Sequence, residues 1–218
     1  MITIKRLKLI HKIEFKFILI VFFVTLKSFC LSQDSIFLKV HFLYGSKPIS
    51  KYKQTEHKWF GGIHGGHVGI EGDSNQILSF ELNGKFHVFD NKKIKFSNFK
   101  IQSCNDFYEI FGGDVDSVKK AIVYIPVTIQ QKQRYDSIVA SYLLQTPYDY
   151  AFFGMRCSSA SYEVLGQLNI LKKLSYQKTI KKIFYPKKFR KILFKLAKEN
   201  HWKIVIKNGS KRRKWEMD

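Results

Sequence analysis

The chain has 218 residues, of which 45% are hydrophobic and 16% aromatic. It therefore has enough apolar surface for one folded domain, and this composition excludes a disordered tail protein. Lysine and arginine number 38 against 17 acidic residues, for a formal net charge of +21. Such an excess favours polyanionic surroundings, namely nucleic acid, anionic lipid or an acidic wall polymer, although a lysine-rich compositional bias would produce the same number.

Residues 1–33 have the pattern of a secretory signal. Five basic residues precede or border an uncharged apolar run at 17–26, which is shorter than the ~20 residues that a membrane span needs. Small residues follow at Cys30 and Ser32, so we predict cleavage after Ser32. An uncleaved membrane anchor and a lipoprotein acylated on Cys30 are the alternative interpretations.

Export would limit the partners of the remaining chain. Without residues 1–33, 32 basic residues face 16 acidic ones, and the net charge is still +16. In the periplasm or cell envelope such a surface meets anionic lipid and wall polymers, and we do not expect nucleic acid as a partner. We also expect no cofactor and no metal.

The patterning of residues 34–218 predicts a single α+β domain, with an antiparallel sheet packed against helices. In chain order, β-branched and aromatic residues predict strands at 36–43, 67–71, 76–82, 85–89 and 121–127. A capping-box pattern predicts a helix at 128–145, a second helix spans 157–168, and a third begins at Pro186. A short strand at 202–206 completes the prediction. From about residue 175 the chain reads as a basic helical extension.

Cys157 is the strongest candidate for a nucleophile. It stands in the sequence Arg-Cys-Ser-Ser-Ala-Ser at the start of a predicted helix. Unpaired N–H groups and the helix dipole favour a thiolate there, and Arg156 adds positive charge. The same N–H groups can stabilise the oxyanion that forms when a thiolate attacks a carbonyl.

His67 is the best candidate for the general base, because it opens a strand directly after a glycine pair. His87 is a weaker candidate. For His41, His57 and His201 we predict surface or structural roles.

A third group must orient the imidazole. Ser79 and Glu81 share one face of the next strand, and antiparallel pairing brings that face alongside His67. We rank Glu81 first and Ser79 second. Glu71 shares the face of His67 but lies ~13 Å along the strand.

These residues carry a family resemblance. The sequence Gly66-His67-Val68-Gly69-Ile70 on a strand, a polar residue on the next strand, and a later cysteine at a helix start resemble the circularly permuted NlpC-type papain-fold hydrolases. That group includes the lecithin retinol acyltransferase-like and YiiX-like proteins, and the similarity covers residues 59–168. It implies a permuted papain-like fold, with Cys157 as nucleophile, His67 as base and Glu81 or Ser79 as third member, acting on an amide or ester through a thioester.

The resulting functional hypothesis is an exported thiol hydrolase that cleaves an amide bond, with cell-wall peptide as the favoured substrate. The alternative within the same fold is an acyltransferase or esterase acting on a lipid ester or a lipid-linked acyl group. A non-enzymatic alternative is a basic envelope protein that binds anionic lipid or wall polymer through the amphipathic segment 186–198, which also fits a packed surface helix.

Two structural alternatives compete for the candidate residues. A Cys104–Cys157 disulfide would remove the nucleophile in a compartment that permits disulfides. His64 and His67 have a spacing that suits a zinc pair, although no third ligand is evident.

Overall fold

The computed structural model describes residues 36–44, 66–91, 93, 95–112, 116 and 118–210. The strands are β1 (Ile36–Leu43), β2 (His67–Asp73), β3 (Gln76–Leu82), β4 (Ser97–Ser103), β5 (Lys120–Val127) and β6 (Ile204–Lys207). The helices in these ranges are α1 (Cys104–Gly112), α2 (Ile129–Leu144), α3 (Cys157–Gln167), α4 (Tyr176–Lys182) and α5 (Pro186–Glu199).

All six strands form one antiparallel sheet in the order β4-β3-β2-β1-β5-β6. The prediction of an α+β fold with an antiparallel sheet is therefore confirmed. The β2–β3 hairpin turns at Asn75, which adopts a positive φ of 64°. Pro126 lies beyond the residues of β5 that pair with β6, so its missing N–H costs no sheet hydrogen bond.

The sheet has a different cover on each face. Helices α2, α3 and α5 bury their apolar residues against one face, where Val40, Val68 and Ile70 contribute to the core. On the other face α1 contributes Phe107 and Tyr108 to a smaller cluster with Leu43 and Ile77. Because side chains alternate along a strand, His67, Ser79 and Glu81 all belong to the face that α1 covers.

The C-terminal segment is part of the core. Helix α5 buries Phe189, Leu193 and Ala197, and β6 pairs with β5. The amphipathic pattern of residues 186–198 therefore describes a packed helix whose apolar side is already covered. Within the described ranges no helix combines the length and the apolar composition that a membrane crossing requires.

Two elements were not expected from the sequence, namely β4 and α1, whereas α4 falls within the helical extension predicted from about residue 175. The predicted strand at 85–89 is not present as such. At Gly84, with φ of 116°, the chain leaves the sheet, and His87 and Val88 accept backbone hydrogen bonds from Phe152 and Phe153 instead. Strand β4 takes the place beside β3. Which segment pairs with β3 depends on contacts that no local pattern specifies.

Candidate active site

The start of β2 positions His67 at one end of the sheet. In the register of β2 and β3, Gly69 pairs with Ser79, so Ser79 is the diagonal neighbour of His67. Its hydroxyl oxygen lies 2.7 Å from Nε2 of the imidazole. The structure thus brings together His67 and Ser79, the residue ranked second as its orienting partner.

Helix α1 encloses the imidazole. The ring of Phe111 stacks on that of His67 with centroids 3.6 Å apart, and Phe107 packs at 5.7 Å. This burial lowers the pKa of His67 to about 3, so the imidazole is neutral around pH 7. Ser79 binds Nε2, and among the described residues no hydrogen bond is made to Nδ1.

Glu81 lies at the end of β3, buried near His67 but not hydrogen-bonded to it. Its Oε2 is 3.4 Å from Nζ of Lys100. Within the described part of the chain, its buried Oε1 has no hydrogen-bond partner. The carboxylate that was ranked first as orienting residue is therefore held by a lysine.

Helix α3 carries Cys157 at its first position. The turn before it is closed by Ser159, whose hydroxyl accepts a hydrogen bond from the N–H of Arg156 at 2.8 Å and donates to its carbonyl at 3.0 Å. Ser158 donates to the carbonyl of Ile183 at 3.1 Å. Because α3 packs on β2 and β3, the helix start is fixed beside the start of β2.

Hydrogen-bond donors surround the buried thiol of Cys157. The N–H groups of Val68 and Ser158 and the hydroxyl of Tyr150 favour negative charge on its sulfur, and Arg156 contributes positive charge. Burial has the largest effect, however, and the pKa of Cys157 is raised overall. Groups at the helix start lower the pKa of Cys157 as expected, but desolvation raises it by more, so the resting group is a thiol.

Tyr150 is a site residue that sequence reasoning did not assign. Its side chain lines the same cavity as Cys157, its hydroxyl lowers the pKa of that thiol, and its own pKa is raised, chiefly by burial. Arg156 was assigned only as a charge. Its guanidinium stacks on Phe184, 3.7 Å from the ring centroid, and donates to the carbonyl of Phe184.

One cavity of about 560 Å³ connects these groups. This volume is in the usual range for small-molecule sites. The polar side chains of His67, Glu81, Arg156 and Cys157 line it. The remaining lining is mainly apolar and comes from Gly66, Leu82, Phe86, Ile110, Phe111, Tyr150, Phe152, Ser158, Phe184, Tyr185 and Pro186.

A second cluster on the same sheet face contains His41 and Cys104. His41 has both nitrogens engaged, Nδ1 with the Tyr108 hydroxyl at 2.5 Å and Nε2 with Glu71 at 2.8 Å. Lys39 also binds Glu71, at 2.5 Å. Burial would raise the pKa of this carboxyl, but its hydrogen bonds with His41 and Lys39 lower it to about 2.

The second cluster is also the arrangement in the described ranges that has the ligand types for a metal ion. One ligand atom from each of His41, Glu71 and Cys104 lies within 4.8 Å of the others. The positive charge of Lys39, which already binds Glu71, disfavours a metal cation at this cluster. The proposed zinc pair of His64 and His67 is not described, because His64 lies outside the described residues.

The other sequence candidates have structural partners or lie elsewhere. His87 binds the fully buried Asp149, which also accepts the N–H groups of Asn91 and Phe96 and so secures the loop between β3 and β4. His57 lies outside the described residues. Cys104 and Cys157 are both free thiols, so the alternative of a disulfide between them is not what the structure contains.

Comparisons with known proteins do not add to this geometry. No family model, curated protein or solved structure matches the chain.

Proposed function

We propose that the protein is an exported thiol hydrolase that cleaves an amide bond through a thioester on Cys157. The observation that carries this proposal is the shared cavity of about 560 Å³. Both the thiol of Cys157, at a helix start, and the neutral imidazole of His67 line it. The resemblance of the His67 and Cys157 motifs to permuted papain-fold hydrolases supports the same chemistry. Export rests on the signal-like pattern of residues 1–33, which lie outside the described residues.

His67 has the features of a general base. Since Nε2 faces the Ser79 hydroxyl, the tautomer with its proton on Nε2 donates to Ser79 and leaves Nδ1 to receive the proton of the thiol. The pKa of His67 is low and that of Cys157 is high. We therefore infer that the proton moves as sulfur attacks, and not beforehand as in a stable ion pair.

The reaction then follows from the groups around the sulfur. The thiol proton passes to His67, and sulfur bonds to the carbonyl carbon. The N–H groups at the start of α3, that of Ser158 among them, stabilise the negative charge that develops on the carbonyl oxygen. The C–N bond breaks and the leaving amine takes the proton from His67. Water then attacks the thioester carbonyl and gives a proton to His67. The C–S bond breaks, the acid leaves, and His67 returns the proton to sulfur.

An acyl-transfer probe tests this proposal directly. With p-nitrophenyl acetate in excess, we expect a burst of one nitrophenol per chain and an acetyl group on Cys157, detected by mass spectrometry. Cys157→Ala should lower the burst rate at least ~10³-fold, because it removes the nucleophile. The matched control Cys104→Ala should retain it. Acylation that persists in Cys157→Ala, or that maps to Cys104, would refute the proposal.

A lipid ester is the second candidate substrate, and the apolar lining of the cavity favours it. Aromatic side chains from three segments, including Phe86, Phe152 and Phe184, surround the space in front of the thiol. They suit an acyl chain better than a hydrophilic peptide. If activity towards acyl p-nitrophenyl esters rises steadily with chain length while peptide anilides are not cleaved, the lipid ester replaces the amide as the substrate.

A further inference from the structure

An apolar patch lies next to the cavity on the protein surface. It consists of Phe86, Val88, Phe89 and Phe153, whose residues are between 44% and 69% exposed. Exposed apolar side chains are common singly, but a contiguous group of this kind marks a binding surface. The rings of Phe89 and Phe153 stack with centroids 5.4 Å apart, so the two contributing segments form one surface.

The backbone holds this patch in place. The N–H groups of Phe152 and Phe153 donate to the carbonyls of His87 and Val88, each at 2.8 Å. The two loops, more than sixty positions apart in the chain, are therefore joined by main-chain hydrogen bonds. Since the backbone is paired, exposure of these rings is a property of the folded state and not of a frayed loop.

The patch continues into the cavity. Phe86 and Phe152 line the cavity in front of Cys157, while Phe89 and Phe153 line a neighbouring groove. Phe184 lines both. A molecule that left an apolar phase at the patch would therefore meet apolar side chains all the way to the thiol.

Positive charge borders the patch and indicates what covers it. Lys181 lines the groove together with Phe89 and Phe153. Two further exposed lysines are sequence neighbours of these residues: Lys182 follows Lys181, and Lys85 precedes Phe86. Asp90 is the carboxylate that lines the same groove. Aromatic rings flanked by lysines suit the boundary of an anionic bilayer, where rings enter the headgroup region and ammonium groups contact phosphates.

We propose that the apolar patch docks the protein on an anionic phospholipid membrane with the mouth of the cavity towards the lipid. The docking surface differs from the amphipathic segment 186–198, whose apolar side is buried in the core as α5. The proposal goes beyond the proposed reaction and does not depend on it, because binding requires neither the Cys157 thiol nor His67.

Vesicle flotation of the full chain tests this surface. We expect binding to vesicles of phosphatidylglycerol and phosphatidylcholine, and about tenfold weaker binding of the double variant Phe89→Ser/Phe153→Ser, because two rings no longer enter the interface. The matched control is Leu144→Ser, which removes an apolar side chain that is 91% exposed on α2 and lines neither the cavity nor the groove. It should bind like the unchanged chain.

Charge variants test the electrostatic part. Lys181→Gln/Lys182→Gln should weaken binding to the anionic vesicles several-fold, and the control pair Lys191→Gln/Lys195→Gln on α5 should have less effect. Vesicles of phosphatidylcholine alone should bind weakly. If they bind as tightly as anionic vesicles, the assignment of an anionic membrane is wrong.

Hydrogen exchange locates the contact independently of residues 1–33, whose apolar run can bind lipid by itself. Anionic vesicles should slow exchange at residues 86–89 and 152–154 and leave β6 unchanged. Unchanged exchange at the patch, together with equal flotation of the patch variant, would overturn the proposal. Concentration-dependent self-association without vesicles that disappears in Phe89→Ser/Phe153→Ser would assign the patch to a second copy instead.

Discussion

Two buried histidines occupy the same face of the sheet, but their surroundings differ in one respect that bears on catalysis. His41 uses both ring nitrogens, one for Tyr108 and one for Glu71. His67 binds Ser79 through Nε2 and lines the cavity that Cys157 also lines. A base needs a nitrogen that can reach the substrate side of the site. The comparison shows that burial and hydrogen bonding alone do not identify such a histidine.

Cys104 and Cys157 also differ in the charged and polar groups that surround their sulfur atoms. Cys104 lies against the Glu71 carboxylate, and burial together with this negative charge raises its pKa to about 11. The pKa of Cys157 is also raised by burial, but Arg156 and the surrounding hydrogen-bond donors oppose that effect. Negative charge on sulfur is therefore resisted at Cys104 and supported by neighbouring groups at Cys157.

Replacing each histidine gives the largest contrast. His67→Ala should slow acylation of Cys157 by about 10²–10⁴-fold, because it removes the general base. His41→Ala should leave the acylation rate per folded molecule nearly unchanged. It should instead lower the free energy of unfolding by about 3 kcal/mol, since it breaks a buried network around Glu71. Burst kinetics and urea denaturation of both variants measure the two effects.

If His41→Ala abolished acylation in the folded protein while His67→Ala did not, the assignment of the two histidines would be reversed. Circular dichroism at the assay temperature verifies that each variant is folded.

Acid should destabilise the protein through His67. Its folded-state pKa of about 3 lies below the ordinary value of 6.5, so the unfolded chain binds a proton that the native state does not. Stability is full above pH 6.5 and falls as the pH decreases towards 3, by up to about 1.4 kcal/mol per pH unit. Urea denaturation at several pH values should give a slope that contains this contribution together with that of His41, whose pKa burial also lowers, and His67→Asn should reduce it.

The exposed His201 provides the control for this measurement. Its φ of 56° is tolerated by asparagine, and His201→Asn should leave the slope unchanged. An equal slope in His67→Asn and the unchanged chain would show that His67 is not buried as a neutral imidazole.

The orienting residue should produce the smallest effect. Ser79→Ala should slow acylation about fivefold to tenfold, because the hydrogen bond that orients Nε2 is lost. Glu81→Gln should change the rate less, since Glu81 pairs with Lys100 and has no hydrogen bond to His67. The pH profile of acylation separates orientation from folding, because Ser79→Ala should shift the profile and a purely structural change should not. A larger effect of Glu81→Gln would return Glu81 to the position of third member.

Much of the fold follows from local patterns. The alternation of β1 and β5, the capping box of Thr128 and Gln131, and the start of α5 at Pro186 were all predicted and are present. Each depends on interactions within a few residues. The short helix α1 and the edge strand β4 escaped prediction because nine and seven residues carry little periodic signal.

In the candidate site, too, local sequence predicted some features and contacts between distant segments decided others. The sequence predicted His67 at a strand start and Cys157 at a helix start, and the structure has both at those positions on one cavity, because such starts have recognisable sequence surroundings. The choice of Ser79 as the hydrogen-bond partner of His67 depended on side-chain contacts in the folded sheet, where Ser79 reaches Nε2 and Glu81 pairs with Lys100. The part played by Tyr150 depended on a loop whose course no local pattern specifies.

Sequence alone was enough to establish the α+β composition and the strong positive charge, and it singled out His67 and Cys157 as candidates, since propensity, charge and motif spacing are local properties. Tertiary structure alone decided which histidine keeps a nitrogen for chemistry, how far burial opposes the thiolate, and where apolar surface stays exposed. These properties depend on desolvation and on contacts between distant segments, and desolvation exists only once the chain has packed.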